Sequence, residues 1–251
     1  MRDVIGDAID LLLNAQHAVA LTGAGISTPS GIPDFRSRDT GLWANYNPME
    51  IATVQAFRHR TVEFFNWIRP LAHQMLEAQP NAAHRALAEL EAAGRLSTVI
   101  TQNIDGLHQR AGTTDVVELH GNIFTATCVR CYRVFDSEHF VRALIDEGRV
   151  PLCPVCDNVL KPNVVLFGEA LPAQSLMAAK RAITRCDLMI VAGSSLEVAP
   201  ASDLPMMVLA RQARLIIVNR DPTYLDEQAD VLIRDDLARA LPALAAACTQ
   251  R

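Results

Sequence analysis

Four short runs constrain the fold of this chain more than any other feature. Ala18-Val-Ala-Leu21, Leu96-Ser-Thr-Val-Ile-Thr101, Asp187-Leu-Met-Ile-Val-Ala-Gly193 and Arg214-Leu-Ile-Ile-Val-Asn219 are almost uninterrupted in apolar and β-branched residues. An alternating strand leaves one face to water, whereas a strand apolar on both sides needs cover on both. Each run ends in small or polar residues, at Thr22-Gly23, Gln102-Asn103, Gly193-Ser194 and Asn219. Helical spacing separates them, first in Val4, Ile5, Ala8, Ile9, Leu12 and Leu13, then over about 50–79, 82–93 and 236–248. Strands alternating with helices predict an α/β fold, a doubly wound parallel sheet with its polar loops gathered at the carboxyl edge. Val116-Val-Glu-Leu119 adds a strand ending at His120-Gly121.

Composition closes off other classes. A chain of 251 residues accommodates one α/β domain, or one domain plus a small insert. Half of it is hydrophobic and the formal net charge is −5, which excludes a disordered chain and the basic surface expected of a direct nucleic-acid binder. No segment approaches the ~18 apolar residues that span a bilayer. Asp3, Asp7 and Asp10 stand where a secretory signal needs a basic start and an unbroken apolar core. The expectation is a cytoplasmic protein with no membrane partner.

Chemistry-bearing residues cluster at the ends of the predicted strands. Gly23-Ala24-Gly25-Ile26-Ser27 lets backbone approach a pyrophosphate, although Thr28 stands where a dinucleotide fingerprint wants a third small residue. A plain tight turn explains the glycines as well. Ser30-Gly31-Ile32-Pro33-Asp34-Phe35-Arg36 continues it with a stiff polar stretch that a dehydrogenase does not need. Gln102-Asn103-Ile104-Asp105 offers amides and a carboxylate to a ribose or a carboxamide, or else simply caps its loop. His120 ends a strand on the same edge, and its ordinary pKa near 6.5 suits a general base. His17, His59, His73, His84, His108 and His139 lack such a setting. Gly193-Ser194-Ser195 and Asn219 are further turns on the same edge.

Between 122 and 162 the texture changes. Cys128-x-x-Cys131 and Cys153-x-x-Cys156 are separated by the 21 residues Tyr132 to Leu152. Four thiolates fill a tetrahedral zinc shell and leave no open position, so the metal is expected to be structural; two disulfides are the alternative. Cys186 and Cys248 are isolated and read as buried small residues.

Taken together these motifs, with Phe167-Gly-Glu169 and Val218-Asn219, resemble the sirtuin family of NAD-dependent protein-lysine deacylases over roughly residues 15–220. The resemblance implies a Rossmann-like large domain (1–36, 80–121 and 163–251), a helical module (37–79) and a zinc-ribbon module (122–162). NAD, the acylated lysine of a protein or peptide substrate, and one structural Zn²⁺ are its ligands. It further implies that the acyl-lysine oxygen attacks the nicotinamide ribose, and that His120 is general base for the ribose hydroxyls. Asn103 would then position that ribose, Ile104 and Asp105 hold the carboxamide, and Phe35 shield the reacting face. Gly23, Ala24 and Gly25 would approach the pyrophosphate. Ser194, Ser195, Asn219 and Asp236 would serve the adenosine half. Ser27, Asp34, Arg36, Gln102 and Gly193 complete the implied cofactor set.

The substrate peptide is expected to add as a strand between Val164–Glu169, with Val164, Phe167, Gly168 and Glu169 in contact, and the stretch after Ser195. Main-chain pairing of that kind implies broad peptide selectivity. Members preferring succinyl-lysine carry Tyr-x-x-Arg in the helical module. This chain has Phe65 and Ile68 there, with Arg69 one residue away, about 100° around a helix. An apolar lining predicts acetyl or longer neutral acyl groups. The rival readings are an NAD-dependent protein ADP-ribosyltransferase, a Rossmann dehydrogenase and a non-catalytic zinc module.

Overall fold

A computed structural model describes residues 4–34 and 48–249. In chain order the strands are β1 (Ala18–Thr22), β2 (Thr98–Thr101), β3 (Val116–Glu118), β4 (Gly121–Cys128), β5 (Val134–Asp136), β6 (Leu160–Val164), β7 (Leu188–Ala192), β8 (Arg214–Val218) and β9 (Val231–Ile233). The helices are α1 (Val4–Asn14), α2 (Pro48–Ile51), α3 (Val54–His59), α4 (Thr61–Glu77), α5 (Ala82–Ala92), α6 (Leu107–Arg110), α7 (Glu138–Glu147), α8 (Ala173–Arg185), α9 (Leu204–Leu209) and α10 (Leu237–Thr249).

Six strands form one sheet in the order β3-β2-β1-β7-β8-β9, and every neighbouring pair is parallel. The chain winds outward from β1 to one edge, then returns to the other side of β1. The switch in direction therefore lies between β1 and β7, where open α/β sheets bind ligands. All five residues of β1 and all five of β7 are buried. Their side chains alternate between two cores, as the two-residue period of a strand requires. Ala18, Ala20, Ile190 and Ala192 pack with α1, α5 and α10 on one face; Val19, Leu21, Met189 and Val191 pack with α8 and α9 on the other. Cover on both faces is the reason the runs read as continuous rather than alternating.

The glycine turn makes two 3₁₀ turns, Ala24–Ile26 and Thr28–Ser30. Pro29 lies in the first positions of the second turn and lacks an amide donor, and Gly31, at φ 86°, ends it. The helical stretch of 50–79 is three helices. Thr53 leaves the helical path to form a parallel bridge with Phe167 and caps α3 through Ala56 N.

A second, three-stranded sheet has the order β5-β4-β6 and is antiparallel. Its central strand β4 starts directly after His120. Phe57, Phe64 and Phe65 meet edge-to-face and share one core with Ile123, Val164, and Val141 and Leu144 of α7. The aromatic helices and the cysteine-bearing sheet thus stand on common packing beside the carboxyl edge of the large sheet.

Candidate functional site

The glycines at the switch point serve backbone contact first. Gly25 N donates to Gly193 O at 2.9 Å, and Gly23 N to Ala192 O at 3.2 Å. A Cβ on Gly23 or Gly25 would meet Gly193 O at 2.8 Å, and one on Gly193 would meet Ile26 N at 2.5 Å. The turns after β1 and β7 therefore interlock with no room for a side chain. Ala24 opens the first 3₁₀ turn beside them.

The loop after β2 folds over this interlock. Asn103 is 9% exposed, and its Nδ2 donates both to Gly23 O (3.2 Å) and to Ser27 Oγ (3.0 Å). Both amide hydrogens are thereby committed, so what Asn103 offers a ligand is the acceptor Oδ1. Ser27 Oγ donates to Asp105 Oδ2 at 2.7 Å, and Asp105 Oδ1 accepts Leu107 N at 2.9 Å. Burial pushes the Asp105 carboxyl above the ordinary carboxylate range, against the pull of the Leu107 and Ser27 hydrogen bonds. Ile104 is half-buried and packs against the aromatic core. Gln102 Nε2 donates to Ser194 Oγ at 2.9 Å, which ties the β2 and β7 loops together across β1.

His120 stands at the junction between the sheets. Its Nδ1 lies 2.9 Å from Gln102 O. A carbonyl only accepts, so Nδ1 carries the proton and Nε2 keeps a free lone pair. Burial pushes the imidazole pKa below its ordinary 6.5, partly countered by the Gln102 carbonyl. The ring is therefore neutral at neutral pH with its base at Nε2.

On the other side of the switch point, Ser194 Oγ also accepts Leu196 N at 3.2 Å. Ser195 is half-buried. Asn219 Nδ2 donates to Asp221 O at 2.8 Å. Asp236 caps α10 through Ala238 N at 2.8 Å and pairs with Arg220. Its carboxylate is occupied by structural work at the expected adenosine end. Asp34 is half-buried at the end of the described stretch; Phe35 and Arg36 lie outside the described residues.

The stretch 164–169 is held from several sides. Val165 N donates to His120 O (2.9 Å), Phe167 N to Ala52 O (2.9 Å), and Val54 N to Phe167 O (3.1 Å). Gly168 turns at φ 89°. Glu169, expected at the substrate, has its Oε2 on Leu166 N at 2.9 Å and on Lys161 Nζ at 3.0 Å. Lys161 Nζ also donates to Val164 O at 2.8 Å. The Glu169 carboxylate thus shapes the edge from within. Phe65 and Ile68 are buried at 1% and 3% in the aromatic core, and Arg69 Nε donates to Ile145 O at 2.9 Å.

The four cysteines converge. Their sulfurs all lie within 4.8 Å of one another, with Cys128–Cys156 at 3.5 Å and Cys131–Cys153 at 3.7 Å. A tetrahedral shell with Zn–S near 2.3 Å places sulfurs about 3.8 Å apart, far from the ~2.05 Å of a disulfide. The two knuckles match. Tyr132 N donates to Cys128 O and Asp157 N to Cys153 O, and Tyr132 and Asp157 both take positive φ, 58° and 54°. The group fits a structural zinc ion, and the disulfide alternative falls.

Sequence reasoning missed His84 and His108, both buried near the loop after β2. His84 sits in a capping box with Asn81, and its Nε2 lies 3.5 Å from Ser27 Oγ. Burial pushes His84 down to about 4 and His108 to about 3. The Asn81-x-x-His84 spacing was a usable local signal; nothing local marks His108.

Comparison with known proteins points one way. A model of the Sir2 family matches residues 23–200. The NAD-dependent protein deacetylase 1 of Geobacillus kaustophilus is 44% identical, with 88% of this chain and 89% of that protein covered. The NAD-dependent protein deacylase 2 of Archaeoglobus fulgidus is 43% identical, covering 96% and 95%. A Sir2 variant solved with a deacetylated p53 peptide and 3′-O-acetyl-ADP-ribose superposes with a TM-score of 0.90 at 41% identity, covering 96% of each chain. A Sir2 homologue in complex with NAD gives 0.90 at 39% identity, covering 98% and 94%.

Proposed function

The chain belongs to the Sir2 family, and on that premise we infer that it is an NAD-dependent protein-lysine deacylase whose reaction runs at His120 and Asn103. It moves the acyl group of an acylated lysine onto ADP-ribose, consuming one water, and leaves free lysine, nicotinamide and 2′-O-acyl-ADP-ribose. NAD, when bound, supplies the glycosidic bond that is given up in the exchange. The observation that carries the assignment of roles is the tautomer of His120. With Nδ1–H committed to Gln102 O, Nε2 is free to take a proton from a ribose hydroxyl. Asn103 presents Oδ1 to the same ribose from a rigid amide.

Gly23, Ala24 and Gly25 take the pyrophosphate side, Ile104 and Asp105 the carboxamide, and Ser194, Ser195 and Asn219 the adenosine half. Ser27, Asp34, Phe35, Arg36, Gln102, Gly193 and Asp236 belong to the same assigned set. Asp236 acts through the α10 cap rather than by a free carboxylate. The acylated peptide adds as a strand along Val164, Phe167 and Gly168, with Glu169 bracing that edge. We assign 1–36, 80–121 and 163–251 to the large domain, 37–79 to the module that carries α2, α3 and α4, and 122–162 to the zinc-bearing module; β4 and β6 of the smaller sheet cross these bounds at Gly121 and Val164. Cys128, Cys131, Cys153 and Cys156 hold zinc for structure only. The proposed location is the cytoplasm: a zinc-fitted thiol cluster, with Cys186 buried and in no disulfide, suits a reducing compartment. No helix among the described residues is long and apolar enough to cross a membrane.

Arg69 is spent on Ile145 O, so no guanidinium in this helix turn is left to receive a succinyl carboxylate. Neutral acyl groups are the substrates. Mass spectrometry of peptides bearing acetyl-, succinyl- or myristoyl-lysine, incubated with NAD, tests this. Acyl-ADP-ribose should form in step with nicotinamide, and from neutral acyl groups. Succinyl preference would contradict the acyl assignment. Nicotinamide released without deacylated peptide would move the reading to ADP-ribosyl transfer.

A further inference from the structure

Two imidazoles outside the reacting set lie against each other under the catalytic loop. His84 and His108 meet edge-to-face with ring centroids 4.9 Å apart. Each begins a line of hydrogen bonds that ends on Asn103. From His84 the line passes through Ser27 Oγ (3.5 Å) to Asn103 Nδ2 (3.0 Å). From His108 Nε2 it passes to Thr22 Oγ1 (2.9 Å), from Thr22 to Thr101 Oγ1 (2.9 Å), and Thr101 Oγ1 accepts the backbone N–H of Asn103 at 3.1 Å. Asn103 is thus held at its side chain by one line and at its main chain by the other.

With Thr22 Oγ1 donating to Thr101 Oγ1, the second line has one direction. His108 is neutral, so it carries one N–H. Thr22 spends its hydroxyl hydrogen on Thr101 and must receive one from His108, which puts the proton on Nε2. Nδ1 is then bare. It is one of two buried side-chain polar atoms among the described residues without a hydrogen bond, the other being Thr113 Oγ1. A buried nitrogen without a partner is costly. A leucine would fill the space without that cost; only a donor at Nε2 completes the line to Asn103.

We propose that His108, acting through Thr22 and Thr101, is a positioning residue for deacylation: it fixes the main chain of Asn103 and so the direction in which Oδ1 meets the ribose. The proposal rests on the deacylase reading above. Thr22→Val keeps the shape and removes the hydroxyl, whereas Thr22→Ser keeps the hydroxyl. Thr22→Val is expected to lower kcat about tenfold or more, because small misplacements of a positioned group are expensive. KM for the peptide and Kd for NAD should stay within about twofold, and Thr22→Ser should recover most of kcat. His108→Gln, with an amide donor near the Nε2 position, should exceed His108→Leu in the same way, and this pair carries the test if Thr22→Val does not fold. Wild-type kcat in Thr22→Val overturns the proposal. So does a loss of kcat matched by equal losses of NAD affinity and thermal stability, or misfolding of both Thr22→Val and His108→Leu, since each marks a structural role. A wild-type protein without NAD-dependent deacylation overturns the deacylase reading itself, a result read separately in the unmutated control.

Discussion

Gly121 follows His120, the proposed general base, and carries the chain from one sheet into the other, so Gly121→Ala should damage stability and turnover together. Its φ is 71°, and an added Cβ would lie 1.8 Å from Asn163 O. The left-handed conformation alone costs a non-glycine residue about 1–2 kcal/mol. Real Cβ contacts essentially never fall below 3.0 Å, and the obstacle is main chain, so the neighbour cannot rotate away. β4 and β6 must part by about 1 Å, at the point where cores have no slack. That move strains the Gly121–Val164 pairing and the Val165 N to His120 O bond of 2.9 Å. Two weakened hydrogen bonds add about 2 kcal/mol, for a total of about 3–4 kcal/mol. For a chain of this size that is a fall in Tm of roughly 6–16 °C. The same displacement carries the His120 ring, and an error of ~1 Å at a reacting group costs on the order of a hundredfold in kcat. Gly94→Ala is the control, with φ 69° and nothing within 4 Å of the added Cβ. It should cost only about 1–2 kcal/mol, that of the left-handed conformation, and leave kcat alone. Denaturant melts and steady-state kinetics on both variants decide the matter. If Gly121→Ala matches Gly94→Ala in stability and turnover, the steric reasoning is refuted.

Four further outcomes follow from the structure. Burial holds the His120 pKa below 6.5, so the acid limb of the kcat/KM profile should lie below about pH 6.5, and activity should be lost as pH falls through it; a limb above that value would contradict the neutral, buried base. His84 is neutral when folded and takes a proton when unfolded, so stability should be full above pH 6.5 and decline as pH falls toward 4. The lowering to about 4 converts to roughly 3 kcal/mol, readable as a drop in urea midpoint between those pH values that His84→Gln should reduce. Cys128→Ser or Cys153→Ser should release zinc and unfold the 122–162 module, and metal analysis showing zinc retained with full activity in both would contradict the structural site. Lys161→Glu and Glu169→Lys should each raise KM for the peptide several-fold, while the double exchange recovers about 1 kcal/mol of it; a double variant no better than either single one would remove the brace from the peptide edge.

Legibility followed the range of the contacts. β1, β7 and β8 could be read because burial on both faces is written in consecutive residues. The cysteine knuckles could be read because each is closed by local turns with fixed spacing. The three-way break of 48–77 could not, because it depends on Thr53 meeting Phe167 far along the chain. Gly23, Gly25 and Gly193 looked like phosphate-facing residues, while their most immediate constraint is one another. Glu169 reads in the sequence as a substrate contact; that its carboxylate also holds Lys161 and the Leu166 amide shows only in the fold. His108 carried no local mark at all: its significance lies in Thr22 and Thr101, which meet it only after β1 and β2 pair side by side.

The central claim is that His120 Nε2 is the base of an NAD-dependent deacylation. It is tested most directly with His120→Ala, folded and zinc-loaded, by measuring NAD affinity and deacetylation of one acetyl-lysine peptide on the same preparation. NAD affinity should stay within a few-fold of wild type while kcat falls by a hundredfold or more, the usual scale for removing a general base. Turnover near the wild-type rate, with NAD bound, would contradict it.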